Sequence, residues 1–320
     1  MKLNLYKRES VLKFNLREIL SLADIFTLLM LGIYTLLAII FYPKIKDASN
    51  LILQNVLISF TVISISTVTQ KMNAGSLFIA FRKLYVIPVI FLIYSQVQHY
   101  IAVINPHDYD NILIAWDRAI FGTDPTKFFQ KISYPVLTEY FQLAYMTYFI
   151  MPFIHGIEIH FRKSNEEFNH FAAILLFSFY TSYLLYFFFP AIGPRFTLHE
   201  FANLPNELPG LWLTDFFRNI IDTGGGIIQG TAYPSAHVNR DCMPSGHTYI
   251  TTLNMYIAYR FKSRLRYPIY IFGISLIIAT VYLRYHYVVD ILAGLACAYG
   301  AIKIEPKIRK LFLSKGFELS

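Results

Sequence analysis

The chain has 320 residues, 55% of them hydrophobic and only 15% charged, with a mean hydropathy of +0.45. That is more apolar surface than a soluble domain of this length hides, so an ordinary soluble enzyme is excluded. The formal net charge of +8 suits a nucleic-acid partner or a membrane protein with basic cytoplasmic loops, and the location of the charges decides between them.

A basic leader with Lys2, Lys7, Arg8, Lys13 and Arg17 precedes the first apolar stretch, and no small-residue cleavage pattern follows it. The stretch therefore reads as a retained span. A bilayer core of about 30 Å takes about 20 mostly apolar residues per helix. Eight runs fit this: Asp24–Tyr42, Leu51–Val68, Leu84–Ile104, Val136–Ile157, Phe171–Ile192, Gly246–Phe261, Tyr267–Leu283 and Tyr287–Ile304. With the amino terminus inside, the cytoplasmic segments hold 19 of the 28 Lys and Arg residues, and the longest loop falls outside. This asymmetry predicts an even number of spans with both termini cytoplasmic, in a cell inner membrane, and removes the need for a nucleic-acid partner. The predicted fold is all-α: a polytopic membrane bundle of about eight transmembrane helices.

Between the spans, two outer connections are long. Residues 105–135 hold Asp108, Asp110, Asp117 and Asp124 and predict a short interfacial helix over Ile114–Phe121. Residues 193–245 carry Gly224, Gly225, Gly226, Pro234 and Pro244, with aromatics that argue against disorder. Glu139 and Asp24 fall at helix starts, where a carboxylate stabilises the dipole. His155 and His160 fall near the cytoplasmic end of the fourth span and read as interfacial. The two cysteines, Cys242 in a polar stretch and Cys297 in an apolar one, make no disulfide framework.

The chemistry concentrates late in the chain. Met243-Pro244-Ser245-Gly246-His247 opens the sixth apolar helix from outside. Pro and Ser at a helix start leave backbone N–H groups facing outward, where the helix dipole favours an anion such as phosphate, and His247 stands at that mouth. Alone, the tetrad is equally the entrance of an ordinary capped helix. Arg284-Tyr285-His286-Tyr287-Val288-Val289-Asp290 opens the eighth helix on the same side. His286 and Asp290 are four apart, so the carboxylate can hold one imidazole nitrogen and free the other. An imidazole oriented this way is a competent nucleophile or base, and an ionisable pair at the edge of hydrocarbon is functional by default. Pro234-Ser235-Ala236-His237 has the same shape as the tetrad, but starting a helix there puts Asn239, Arg240 and Asp241 into the membrane. The 244–247 tetrad is preferred.

Taken together, Pro-Ser-Gly-His followed after 39 residues by His-x-x-x-Asp resembles the type 2 phosphatidic acid phosphatase superfamily. Trp116 to Pro125, Phe189 to Arg195, and Arg284 to Tyr287 look like the bacterial relatives of inositol phosphorylceramide synthase, although Gly246 stands where the synthases tend to carry Leu. The resemblance implies a six-helix core, a phosphohistidine intermediate and no metal or other cofactor. It implies His286 as nucleophile, Asp290 as its orienter and His247 as general acid, with Ser245 and Gly246 binding phosphate. The family's first-motif lysine is missing, since Phe188 stands seven places before Arg195, and Thr280 replaces the arginine six places before the nucleophile. A phosphoryl transition state still needs a cationic clamp, and Arg195, Arg240 and Arg284 are the candidates. A zinc site of His247, His286 and Asp290 is a legitimate ligand set, but surrounding arginines suit an oxyanion better.

The chain divides accordingly into a leader with two extra helices (1–83), a catalytic core (84–304) and a basic cytoplasmic tail (305–320). The expected function is a membrane-integral lipid-phosphate phosphatase acting on phosphoric monoesters, its substrate lying in the bilayer and its active site extracytoplasmic. The alternatives are a phosphotransferase that passes a phospho-headgroup to an alcohol acceptor, and a non-enzymatic transporter of anionic lipid.

Overall fold

The computed structural model describes residues 16–71, 76–227 and 230–317, so Lys2, Lys7, Arg8 and Lys13 of the leader lie outside the described residues. Among the described residues the regular structure is helical, with no strand. Each predicted span has a helix at its place, and the boundaries show what limits them. Leu22–Ile40 starts with a capping box: Ser21 Oγ accepts from Asp24 N, and Asp24 accepts from Ser21 N at 2.8 Å. Asp24 also takes Arg82 and Tyr85 as partners, which ties the first helix to the third span. Ala48–Lys71 packs beside Leu22–Ile40, and Leu22–Ile40 packs on Asn165–Leu185.

The third span is broken into Ser76–Leu84, Val86–Tyr94 and Val97–Ile104. The fifth helix, Asn165–Leu185, ends earlier than the predicted Ile192. Pro190 disfavours helix at the residue before it, and residues 190–193 run as irregular chain toward Gly193, which takes φ +93°. The last helix, Val288–Ser314, continues ten residues past the predicted Ile304, through Pro306. Proline there removes one backbone donor without ending the helix, so residues 305–314 extend the last helix.

Among the described residues, four helical stretches are long and apolar enough to cross a membrane: Leu22–Ile40, Ala48–Thr69, Phe81–Ile104 and Asn165–Leu185. Phe60 (70% exposed) and Leu36 (57% exposed) show their outward apolar face. A hydrophobic ring of this kind on helices of this length makes the protein integral to the membrane. Pro135–Arg162, Gly246–Arg260, Arg266–Tyr282 and Val288–Ser314 complete the bundle, and these helices carry the polar residues of the site. Pro135–Arg162 packs along Arg266–Tyr282, while Gly246–Arg260 sits between Arg266–Tyr282 and Val288–Ser314.

One close approach sets the geometry of the core. A Cβ built on Gly294 would lie 2.7 Å from the backbone oxygen of Ser245 and 3.0 Å from Thr248 Cβ, so only glycine lets the last helix press against the start of Gly246–Arg260. Gly294→Ala is expected to destabilise the fold by about 1–3 kcal/mol through overpacking. A thermal unfolding midpoint in detergent equal to that of the parent would disprove the contact.

Candidate active site

The three loops at one end of the bundle are stitched together by backbone and carboxylate contacts. Tyr109 N donates to Pro190 O at 2.8 Å, Arg195 N to Arg284 O at 3.1 Å, and Cys242 N to Ala191 O at 3.3 Å. The interfacial helix spans Asp110–Phe121, and its two buried acids, seven residues apart, act on neighbouring segments. Asp110 accepts from Ile192 N (3.0 Å), Gly193 N (2.9 Å) and the Tyr287 hydroxyl (2.7 Å). Asp117 accepts from Val288 N at 3.0 Å and Val289 N at 2.9 Å, capping the last helix from 171 residues away. Burial pushes both carboxyls above their ordinary value, and the backbone N–H groups pull against it.

His247 and His286 are delivered by two helix starts. Ser245 caps Gly246–Arg260, its Oγ accepting from Thr248 N at 3.2 Å, and its own N–H donates to Asp290 O at 3.0 Å. A Cβ on Gly246 would lie 2.5 Å from the Tyr186 hydroxyl, so any larger residue here would push the Tyr186 side chain aside. Arg266–Tyr282 ends in a turn where the N–H groups of Tyr285 (2.9 Å) and His286 (3.0 Å) both donate to Thr280 O, with Arg284 in the left-handed region at φ 68°. That turn points His286 back at His247.

His286 Nδ1 lies 3.3 Å from Asp290 Oδ2, and His286 Nε2 lies 3.3 Å from His247 Nδ1. With the proton on Nδ1 shared with Asp290, the Nε2 lone pair faces His247. Asp290 Oδ2 also accepts from Tyr287 N at 2.8 Å and from the Cys242 thiol at 3.0 Å, which fixes the carboxylate. Burial pushes the Cys242 thiol well up, so it stays protonated and donates. Tyr145 and Tyr148 of the Pro135–Arg162 helix flank His247, with ring centroids 4.6 and 4.2 Å away.

The three arginines differ. Arg195 is buried, its guanidinium 5.0 Å from the centroid of the Tyr285 ring, beside His286 in sequence, and it is ion-paired with Asp222. Burial pushes the Asp222 carboxyl up while Arg195 pulls it down. Arg284 is completely buried; one nitrogen meets Glu207, while Nε and the other terminal nitrogen have no partner. Arg240 turns away, held by Asp108 at 2.8 and 3.3 Å and by Val238 O at 3.1 Å, and none of its contacts reaches the histidines. The long loop directs its side chain to the 105–109 segment. His237 is exposed, in the short Pro234–His237 turn.

Other expectations are corrected here. Glu139 does not cap its own helix. It accepts from the N–H groups of Leu211, Trp212, Leu213 and Thr214 and from the Thr214 hydroxyl, so it organises the start of Thr214–Gly224 in the long loop. His155 is fully buried against Asn254 Oδ1 at 2.7 Å instead of interfacial.

The geometry missed by sequence reasoning lies in Asp110, Asp117, Cys242, Tyr145 and Tyr148. The seven-residue spacing of the two acids, two turns apart on one face, is the signal that could have found the first pair. No solved structure matches the chain. A PA-phosphatase-related protein of Dictyostelium discoideum is 29% identical over 214 residues, 58% of this chain and 36% of that protein. The chain thus spans about a third of that relative. A phosphoinositol dihydroceramide synthase of Bacteroides thetaiotaomicron is 23% identical over 224 residues, 63% of this chain and 70% of the synthase. Residues 111–304, more than half of the chain and the segment holding both histidines and Asp290, match the PAP2 superfamily, and the protein belongs to it.

Proposed function

We propose that the protein is a lipid-phosphate phosphatase that hydrolyses phosphoric monoesters through a phosphohistidine. The observation that carries this is the series Asp290 Oδ2, His286 Nδ1, His286 Nε2 and His247 Nδ1, linked by two 3.3 Å contacts. The His286 Nε2 lone pair attacks phosphorus, the P–O bond to the lipid breaks, and the departing oxygen takes a proton from His247. Water then attacks the phosphohistidine, His247 accepts its proton, and inorganic phosphate leaves. Asp290 holds the imidazole tautomer and stabilises its charge. Arg195 and the N–H groups at the Ser245 cap receive the equatorial oxygens once phosphate displaces Asp222.

The site end of the bundle is opposite the end where Glu158 meets Ser263 and Arg264, in the loop with Arg260, Lys262 and Arg266. A basic loop of this kind is favoured on the cytoplasmic side, which supports a reading with the site outside and the termini inside. The tails of the substrate remain in the bilayer.

The likeness to a phosphoinositol dihydroceramide synthase favours a second reading, in which an alcohol replaces water in the second step. Purified protein incubated with a lipid phosphate, with and without inositol, is expected to release inorganic phosphate and to yield acid-labile, base-stable phosphoprotein on rapid quench. Formation of a new phosphodiester at the expense of free phosphate would replace the hydrolase by the transferase.

A further inference from the structure

Beneath the reacting face, Cys242, His286 and Asp290 bring a sulfur, a nitrogen and an oxygen within 4.8 Å of one another, all three buried. Cys242 Sγ is 3.5 Å from His286 Nδ1 and 3.0 Å from Asp290 Oδ2, and the His286 and Asp290 atoms are 3.3 Å apart. Ordinary zinc bond lengths at tetrahedral angles call for edges of about 3.6 Å to the sulfur and about 3.4 Å between nitrogen and oxygen. Both edges that end on His286 Nδ1 therefore already have the span a cation needs. The third is shorter because a thiol proton occupies it, and it lengthens when a cation takes that proton's place.

A second observation points to a cation. Asp290 Oδ1 is buried and has no hydrogen-bond partner, on a residue with 0% exposure. The carboxylate thus retains an oxygen for a bidentate grip or for orienting a metal-bound water.

We propose that Cys242, His286 and Asp290 form a site for a thiophilic divalent cation, Zn²⁺ or its analogue Co²⁺, that switches the enzyme off. The inference rests on the reading of His286 as nucleophile. On binding, the Cys242 thiol proton leaves to solvent, the single imidazole proton of His286 moves from Nδ1 to Nε2, and metal–sulfur, metal–nitrogen and metal–oxygen bonds form. The thiolate selects Zn²⁺ over Mg²⁺ or Ca²⁺, which prefer all-oxygen sites. The cation sits on the edge of the imidazole opposite Nε2, so it leaves the phosphate pocket open. With Nδ1 bound to the cation the ring holds its one proton on Nε2, so the lone pair that would attack phosphorus is lost. The expected kinetic signature is a fall in kcat with KM kept.

The test uses full-length protein purified in detergent and stripped of metal. Adding Co²⁺ alone is expected to give a thiolate-to-cobalt charge-transfer absorption that Cys242→Ser lacks. Zn²⁺ is expected to suppress phosphate release reversibly, with activity returning on chelation, and Cys242→Ser is expected to need about 10-fold more Zn²⁺ or higher for the same fractional loss. Each variant is compared with itself, with and without metal, so any change in basal rate does not enter. Absence of the cobalt band in the parent protein, or equal zinc sensitivity in Cys242→Ser, would overturn the site, and a cobalt band with turnover indifferent to Zn²⁺ would overturn the switch. The cobalt spectrum needs no turnover. A band lost in Cys242→Ser therefore upholds the cation site even if the phosphohistidine reading fails on its own test.

Discussion

His286→Ala is expected to lose release of phosphate from lipid phosphates by about 10⁴-fold or more, the order seen when a nucleophile or its base is removed from a catalytic unit. The imidazole is almost wholly buried, at 4% exposure, so the variant leaves a small gap at the site end. The fold is held elsewhere, by Asp110 and Asp117 on the loops and by the helix packing below, so membrane insertion and the unfolding midpoint stay close to those of the parent. Asp290→Asn separates orientation from nucleophilicity. It keeps the shape of the carboxylate and removes its charge, and an amide donor facing Nδ1 would favour the tautomer with the proton on Nε2, where it is useless for attack. A loss of up to about 10⁴-fold in kcat follows, by analogy with the triad aspartate. The measurement is phosphate release per inserted protein, with acid-labile phosphoprotein absent in His286→Ala. Parent-like turnover in that variant would remove the nucleophile from the mechanism whatever the fate of the other residues.

The closeness of His286 and Asp290 was legible because its logic is local. His286 and Asp290 are four residues apart across the start of Val288–Ser314, and the turn at its Tyr287 N-cap sets one beside the other. His247 was legible because Pro and Ser mark a helix start, and the two starts share one end of the bundle once the intervening hairpin is drawn. The placement of the candidate arginines was not legible to the same degree. Arg195 lies against the Tyr285 ring because its backbone pairs with Arg284, a contact across 89 residues, whereas Arg240 is drawn to Asp108 by the path of a loop that no period describes. Burial of His155 escaped for a related reason. Its partner Asn254 sits on a helix that sequence distance does not bring near, and a polar pair inside a bundle reads from sequence as two interfacial residues. Helix ends slipped where proline was weighed wrongly: Pro190 follows a helix that stops at Leu185, and Pro306 does not stop the last one.

Asp117 shows how far a positioning residue can lie from the chemistry in sequence. Its two carboxylate oxygens satisfy the N–H groups of Val288 and Val289, which belong to the orphan donors at the start of the helix that carries Asp290 and follows His286. Removing a charged acceptor from buried donors costs about 1–3 kcal/mol per group. Asp117→Ala is therefore expected to let the first turn of Val288–Ser314 relax, and with it the His286 side chain. Displacement of a reacting group by about 1 Å costs about 10²-fold in rate, so kcat should fall by that order with KM little changed, because Arg195 and the Ser245 cap are untouched. Asp117→Asn retains one acceptor oxygen and should recover part of the loss, which a side chain acting only as bulk would not predict. Asp117 touches no atom of the reacting pair, so phosphoprotein should still form in Asp117→Ala, only more slowly, under conditions where His286→Ala forms none. If Asp117→Ala turned over at the parent rate with an intact fold, the last helix would be shown to hold its own start, and the interfacial helix would have no part in aiming the nucleophile.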